Sequence, residues 1–263
     1  MSLVHHKIYG EPTAPPIYIL HGIFGMLDNW HLVATNLSSQ YKVVTLDARN
    51  HGKSFHHSDS SFNAMAEDLY ELMCFLGDEK AIIMGHSMGG KTTMVFSQKY
   101  PNKLSALVIV DIAPKLYIPS HMDFFNAFKS IDFTKIQNRK EADEALTPYA
   151  SVLSIRQFLL KNIEAIPQGG YQLKINIQAI ENYYHEIIDE ISLTNQVNVP
   201  TLFILGEKSG YLKENDKPYI NAHYPLVEYI TISKAGHWVH ADNPQEFIQV
   251  LRQFLSQTIL TTD

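Results

Sequence analysis

The chain has 263 residues, 45% of them hydrophobic, enough for one large core or a core with a subdomain. Its formal net charge of -6 and the lack of any basic block argue against a nucleic-acid partner. A single cysteine, Cys74, excludes an internal disulfide framework and permits a reducing compartment; no apolar run reaches membrane-spanning length.

Residues 4–9 read as a first short strand, followed by a proline-rich turn. Ile17-Tyr18-Ile19-Leu20 is a buried-type strand that ends in His21-Gly22-Ile23-Phe24-Gly25. Asp28 or Asn29 can cap a helix running through Trp30, Leu32, Val33 and Leu37. Val43-Val44-Thr45-Leu46 is the next strand, running into Asp47-Ala48-Arg49-Asn50-His51-Gly52-Lys53-Ser54. Ser61 opens an amphipathic helix through Met65, Leu69, Leu72 and Leu76, in which Cys74 is expected as a buried, inert thiol.

Ala81-Ile82-Ile83-Met84 then runs straight into Gly85-His86-Ser87-Met88-Gly89, and a helical segment follows. Strand, sharp turn and helix with a serine at the apex is the pattern of a nucleophile elbow. The glycines let strand and helix close up, and the first helical turn leaves free N–H groups, that of Met88 among them. The next strand, Leu104 to Val110, ends in Asp111-Ile112-Ala113-Pro114.

The alternation breaks there. Residues 115–195 carry helical patterns, at about 123–131, 139–145, 152–166 and 178–191, with little convincing strand. This predicts a helical cap inserted between core segments 1–114 and 196–263. Its aromatic residues mostly suit packing, and some are expected to face a water-excluding acyl pocket. Pro200 to Gly206 and Val227 to Ile232 restore the strands, a helix falls near 213–223, and Pro244 starts a final amphipathic helix. Strands alternating with helices predict an α/β fold with a mostly parallel twisted sheet.

The polar motifs all fall where strands stop, which is where ligands bind in open α/β sheets. Ser87 needs a base. His237 follows the last strand in Ala235-Gly236-His237 and satisfies the chain order nucleophile, acid, histidine. His86 is expected to point away from the apex, and His21 and His51 to brace loops. His237-x-x-His240 lacks the setting of a metal helix, so no metal is expected. The acid is Asp111, at the end of the strand beside the serine strand, with Glu207 and Asp216 as alternatives. Ser209 stands where an aspartate would be sought after the 200–206 strand. Two backbone donors, Met88 N–H and that of Ile23 or Phe24, would form an oxyanion hole.

Together these residues resemble the α/β-hydrolase superfamily over nearly the whole chain. Asp47-x-Arg49-Asn50-His51-Gly52-x-Ser54, Gly85-His86-Ser87-Met88-Gly89-Gly90-Lys91 and Asp111-Ile112-Ala113-Pro114 resemble the small bacterial esterases of the YbfF type. The resemblance implies a helical cap, a Ser–Asp–His triad and hydrolysis of short to medium acyl esters, with thioesters as a second class. In that subgroup the acid lies in the Asp-Ile-Ala-Pro segment, which supports Asp111. No cofactor is implied. The expected partner is a small acyl ester, the expected location the cytoplasm, and the expected assembly a monomer or dimer. A carbon–carbon bond or lactone hydrolase and an acyltransferase are rival readings, and a non-catalytic ligand receptor is a third. Dehalogenase and epoxide-hydrolase relatives carry aspartate where this chain has Ser87. A histidine base should lose activity in mild acid, since an unperturbed imidazole titrates near about 6.5.

Overall fold

The computed structural model describes residues 2–259. In chain order, β1 (His6–Tyr9) and β2 (Pro16–Leu20) precede α1 (His31–Leu37), β3 (Lys42–Leu46), α2 (Phe62–Phe75), β4 (Ala81–His86), α3 (Met88–Lys99) and β5 (Leu104–Val110). Between β5 and the next core strand lie α4 (Met122–Ser130), α5 (Arg139–Leu146), α6 (Leu153–Leu159), the short strands β6 (Ile163–Ala165) and β7 (Tyr171–Leu173), α7 (Ile177–Asn182) and α8 (Tyr184–Ile188). The core resumes with β8 (Thr201–Gly206), α9 (Lys217–His223), β9 (Val227–Ile232), α10 (Val239–Asp242) and α11 (Pro244–Ile259).

Seven strands form one sheet in the order β1-β3-β2-β4-β5-β8-β9; β1 runs antiparallel to β3, and every other pairing is parallel. β4 is central and pairs on both sides, so its wholly buried sequence, apolar up to His86, fits its place. Successive side chains supply opposite faces. Ile83, Leu107, Ile109 and Phe203 pack with Leu69, Leu72 and Phe96 of α2 and α3. Ile82, Met84, Val108 and Leu202 pack with Val33, Leu37, Phe247 and Leu251 of α1 and α11. No described helix is long and apolar enough to cross a membrane.

The Asp47-to-Ser54 motif is scaffolding for the loop after β3. The buried Asp47 carboxylate accepts from Leu27 N at 2.8 Å and Lys53 N at 2.9 Å. A Cβ on Gly52, whose φ is +56°, would sit 2.3 Å from that carboxylate, so no larger residue fits. Arg49 makes a two-pronged ion pair with Asp68 at 2.6 and 2.7 Å, which ties the loop to α2. Ser61 caps α2 by accepting from Ala64 N; such caps are worth about 1 kcal/mol.

Three expectations need correction. The 115–195 segment does contain strand, the antiparallel pair β6–β7, whose three-residue lengths leave too short a pattern to detect. The run at 152–166 is only partly helical: α6 ends at Leu159 and the chain passes into β6. Cys74 is exposed, not buried. The buried stripe of α2 runs through Met65, Ala66, Leu69, Leu72 and Met73, and Cys74 falls beyond it.

Candidate active site

β4 delivers Ser87 to the carboxyl edge of the sheet with φ 54° and ψ −116°, strained geometry for a residue with a side chain. Close approach makes the flanking glycines obligatory. A Cβ on Gly85 would lie 2.2 Å from the Gly89 carbonyl oxygen, and one on Gly89 would lie 2.6 Å from that of Leu20. Ser87 N donates to Val110 O of the neighbouring strand. Met88 is the first residue of α3, so its N–H has no acceptor within the helix.

One strand over, β5 runs into Asp111, which also has positive φ, 51°. The Asp111 carboxylate is 1% exposed and fully engaged. Oδ1 accepts from Gly206 N at 3.0 Å; Oδ2 accepts from Ser209 Oγ at 2.5 Å and from His237 Nδ1 at 2.8 Å. A carboxylate only accepts, so His237 Nδ1 is the donor in this bond. The Tyr211 ring stacks on the His237 ring at 3.8 Å, inclined by 15°. His86 Nε2 donates to the His237 carbonyl oxygen at 2.8 Å. Burial, followed by the neighbouring His237 and His240, holds the His86 pKa well below the ordinary imidazole value.

The loop after β2 forms the opposite wall. Phe24 has φ 58°, and Gly25 N closes a turn onto Gly22 O at 2.9 Å. His21 Nε2 accepts from Ala48 N, so the β3 scaffold supports this loop. Its other anchor comes from beyond β5: the buried Asn162 donates through Nδ2 to Phe24 O at 2.8 Å. Phe24 itself sits among Phe124, Phe125 and Phe128.

Ser87, His237, Ile23 and Phe24 line one cavity of about 560 Å³. Its other walls include Phe124 and Phe158 from the segment between β5 and β8, and Trp238. Of the six site residues expected from sequence, five thus surround or support this cavity and Met88 starts the helix beneath it. No hydrogen bond joins the Ser87 hydroxyl to His237 among the described residues. Contacts of this kind often tighten only when substrate binds. The alternative acids lie elsewhere. Glu207 accepts from Lys234 N, and Asp216 pairs with Lys115.

His86 does more than was expected of it, because it lines the cavity and fixes the backbone of His237. Tyr211 and Asn162 gave no signal in the sequence, since neither lies in a motif. Ser209 did stand out as a missing aspartate, and its hydroxyl donates to the Asp111 carboxylate.

A sequence model of the alpha/beta hydrolase fold matches residues 15–244. The sn-1-specific diacylglycerol lipase ABHD11 of Danio rerio is 35% identical, over 97% of this chain and 83% of its own length. Esterase YbfF of Escherichia coli is 31% identical, over 92% of this chain and 93% of its own. A solved structure described as a marine microorganism esterase superposes with a TM-score of 0.93 at 40% identity, covering 97% of this chain and all of that one. The chain belongs to the alpha/beta hydrolase family, and its relatives there include the YbfF-type esterases.

Proposed function

We propose that this protein is a serine carboxylesterase acting on short to medium acyl esters, with thioesters as a second class. His237 Nε2 takes the Ser87 proton as the hydroxyl attacks the acyl carbonyl. The N–H groups of Met88 and of Ile23 or Phe24 hold the oxyanion. His237 then gives the proton to the leaving alcohol, and a water activated the same way releases the acid. Asp111 holds the imidazole in the required tautomer and offsets the imidazolium charge. Residues 115–195 act as a cap that excludes water and supplies the acyl pocket, with Phe124 and Phe158 as its apolar walls. The reaction calls for no cofactor, and a single cysteine suits a cytoplasmic location.

The observation that carries this reading is the 2.8 Å bond from His237 Nδ1 to Asp111 in a cavity that also presents Ser87. The names of the relatives, esterase and diacylglycerol lipase, support ester chemistry in general. The cavity falls within the usual range of roughly 300–1,000 Å³ for small-molecule sites. The test is a panel of p-nitrophenyl and acyl-CoA esters of graded length, run with D111N and E207Q. Turnover that peaks at short or medium chains, survives E207Q and collapses in D111N is expected. Full turnover in D111N with none in E207Q would overturn the acid assignment.

A further inference from the structure

Lys91 is wholly buried, 0% exposed, in the first turns of α3, where its own N–H donates to the Ser87 carbonyl at 3.0 Å. The charge of a buried lysine needs acceptors. Among the described residues no carboxylate supplies them. Nζ instead donates to three backbone carbonyls: Lys115 at 3.2 Å, Ile187 at 3.0 Å and Asp189. The first lies where the chain leaves the core after β5, and the other two lie at the end of α8, where it starts back. One cation therefore joins both ends of the inserted segment to the helix that starts directly after Ser87. Burial lowers its pKa to about 8, against the opposing charge of Asp189, so it remains charged at neutral pH.

Lys91 also reaches toward the base. Nζ sits 4.9 Å from the centre of the Tyr117 ring. Tyr117 N donates to Ile188 O at 2.7 Å, beside the carbonyls that Lys91 holds. The Tyr117 hydroxyl accepts from Ala113 N and donates to Tyr211 O, each at 2.8 Å. Tyr211 is the residue stacked on His237. A continuous set of contacts runs from the ammonium through two tyrosines to the imidazole.

We propose that Lys91 is a positioning residue: by clamping both junctions of the inserted segment it fixes Tyr117, and through Tyr117 and Tyr211 the face of His237. The proposal rests on the reading of Ser87 as nucleophile and His237 as base. Lys91 touches neither substrate nor reacting atoms, so its removal should alter turnover more than binding.

The test is K91M, which keeps the length and removes the cation, beside Y117F, which keeps the ring and cuts the link to Tyr211. Rates are expressed per serine titrated with a fluorophosphonate, so misfolded protein does not count. K91M is expected to lower kcat at least tenfold with KM within threefold, and Y117F to lower kcat in the same direction by a smaller factor. Wild-type kcat per titrated serine in K91M would overturn the proposal. If K91M does not fold, Y117F decides, and wild-type kcat there overturns it equally. S87A is run in parallel: full activity in S87A would show that the nucleophile reading has failed, whatever Lys91 does.

Discussion

Ser209 donates its hydroxyl to the same Asp111 oxygen that His237 engages. The donor occupies the loop after β8, so a second strand end supports the Asp111 carboxylate. A single hydrogen bond to a charged group is worth about 1.5–3 kcal/mol. S209A should therefore lower kcat/KM by roughly ten- to a hundredfold, whereas D111N should lower it by about ten-thousandfold. Steady-state kinetics on one good ester compares the two; an S209A defect as deep as that of D111N would mean that Ser209 does more than support the carboxylate.

Asn162 anchors Phe24 from the segment between β5 and β8. Its Nδ2 donates to both Phe24 O, at 2.8 Å, and Leu159 O, at 3.2 Å. Removing one oxyanion donor outright costs on the order of 3 kcal/mol in transition-state binding. Loosening the loop that carries the donor should cost part of that. N162A is expected to lower kcat by about tenfold with little change in KM. Unchanged kcat would show that the Phe24 loop holds itself.

The strain at Ser87 should be measurable as stability. Positive φ in a residue with a Cβ costs about 1–3 kcal/mol. S87G and S87A both lose the hydroxyl, yet only glycine relieves the backbone. The greater freedom of glycine in the unfolded chain returns roughly 0.5–1 kcal/mol of that gain. S87G should be more stable than S87A by about 1 kcal/mol in urea unfolding, and both should be inactive. The reverse order would place the strain elsewhere.

Acid should unfold the protein through its buried histidines. Burial lowers His21 to about 4, and His51 and His240 to about 3, with His86 also well below its ordinary value. Each stays neutral in the fold but takes up a proton near pH 6.5 once unfolded. The unfolded state therefore binds more protons below that pH, and stability falls as pH drops. Each such histidine removes up to about 1.4 kcal/mol per pH unit below about 6.5. The carboxyls of Asp47 and Asp68, which burial raises, act in the opposite sense further into acid. Urea midpoints at pH 8, 6.5 and 5 should show little change over the first step and a steep drop over the second. Equal midpoints throughout would contradict the neutral buried state.

The sheet and the order of the site residues were legible because buried parallel strands read as continuous apolar runs and because each site residue follows one. β5 and β9 begin and end where their sequences predict. That Ser87 and Asp111 stand just after strands β4 and β5 was legible from the apolar runs before them. What stayed hidden came from contacts between distant segments. Asn162 reaches Phe24 across 138 positions, and Lys91 reaches Asp189 across 98. Lys91 stood in plain view within a motif, but nothing local says that a lysine beside two glycines will be buried. Cys74 was misjudged for a related reason: an apolar helical run places residues on a face only after the partner surfaces are known.

The most direct test of the account is the site of covalent capture. The protein is treated with a fluorophosphonate at neutral pH, digested and sequenced by mass spectrometry, with D111N treated in parallel. A single adduct on Ser87, formed much more slowly in D111N, is predicted. A folded wild-type protein that stays unmodified, or one that carries the label on another residue, would contradict the claim that Ser87 is activated by His237 and Asp111.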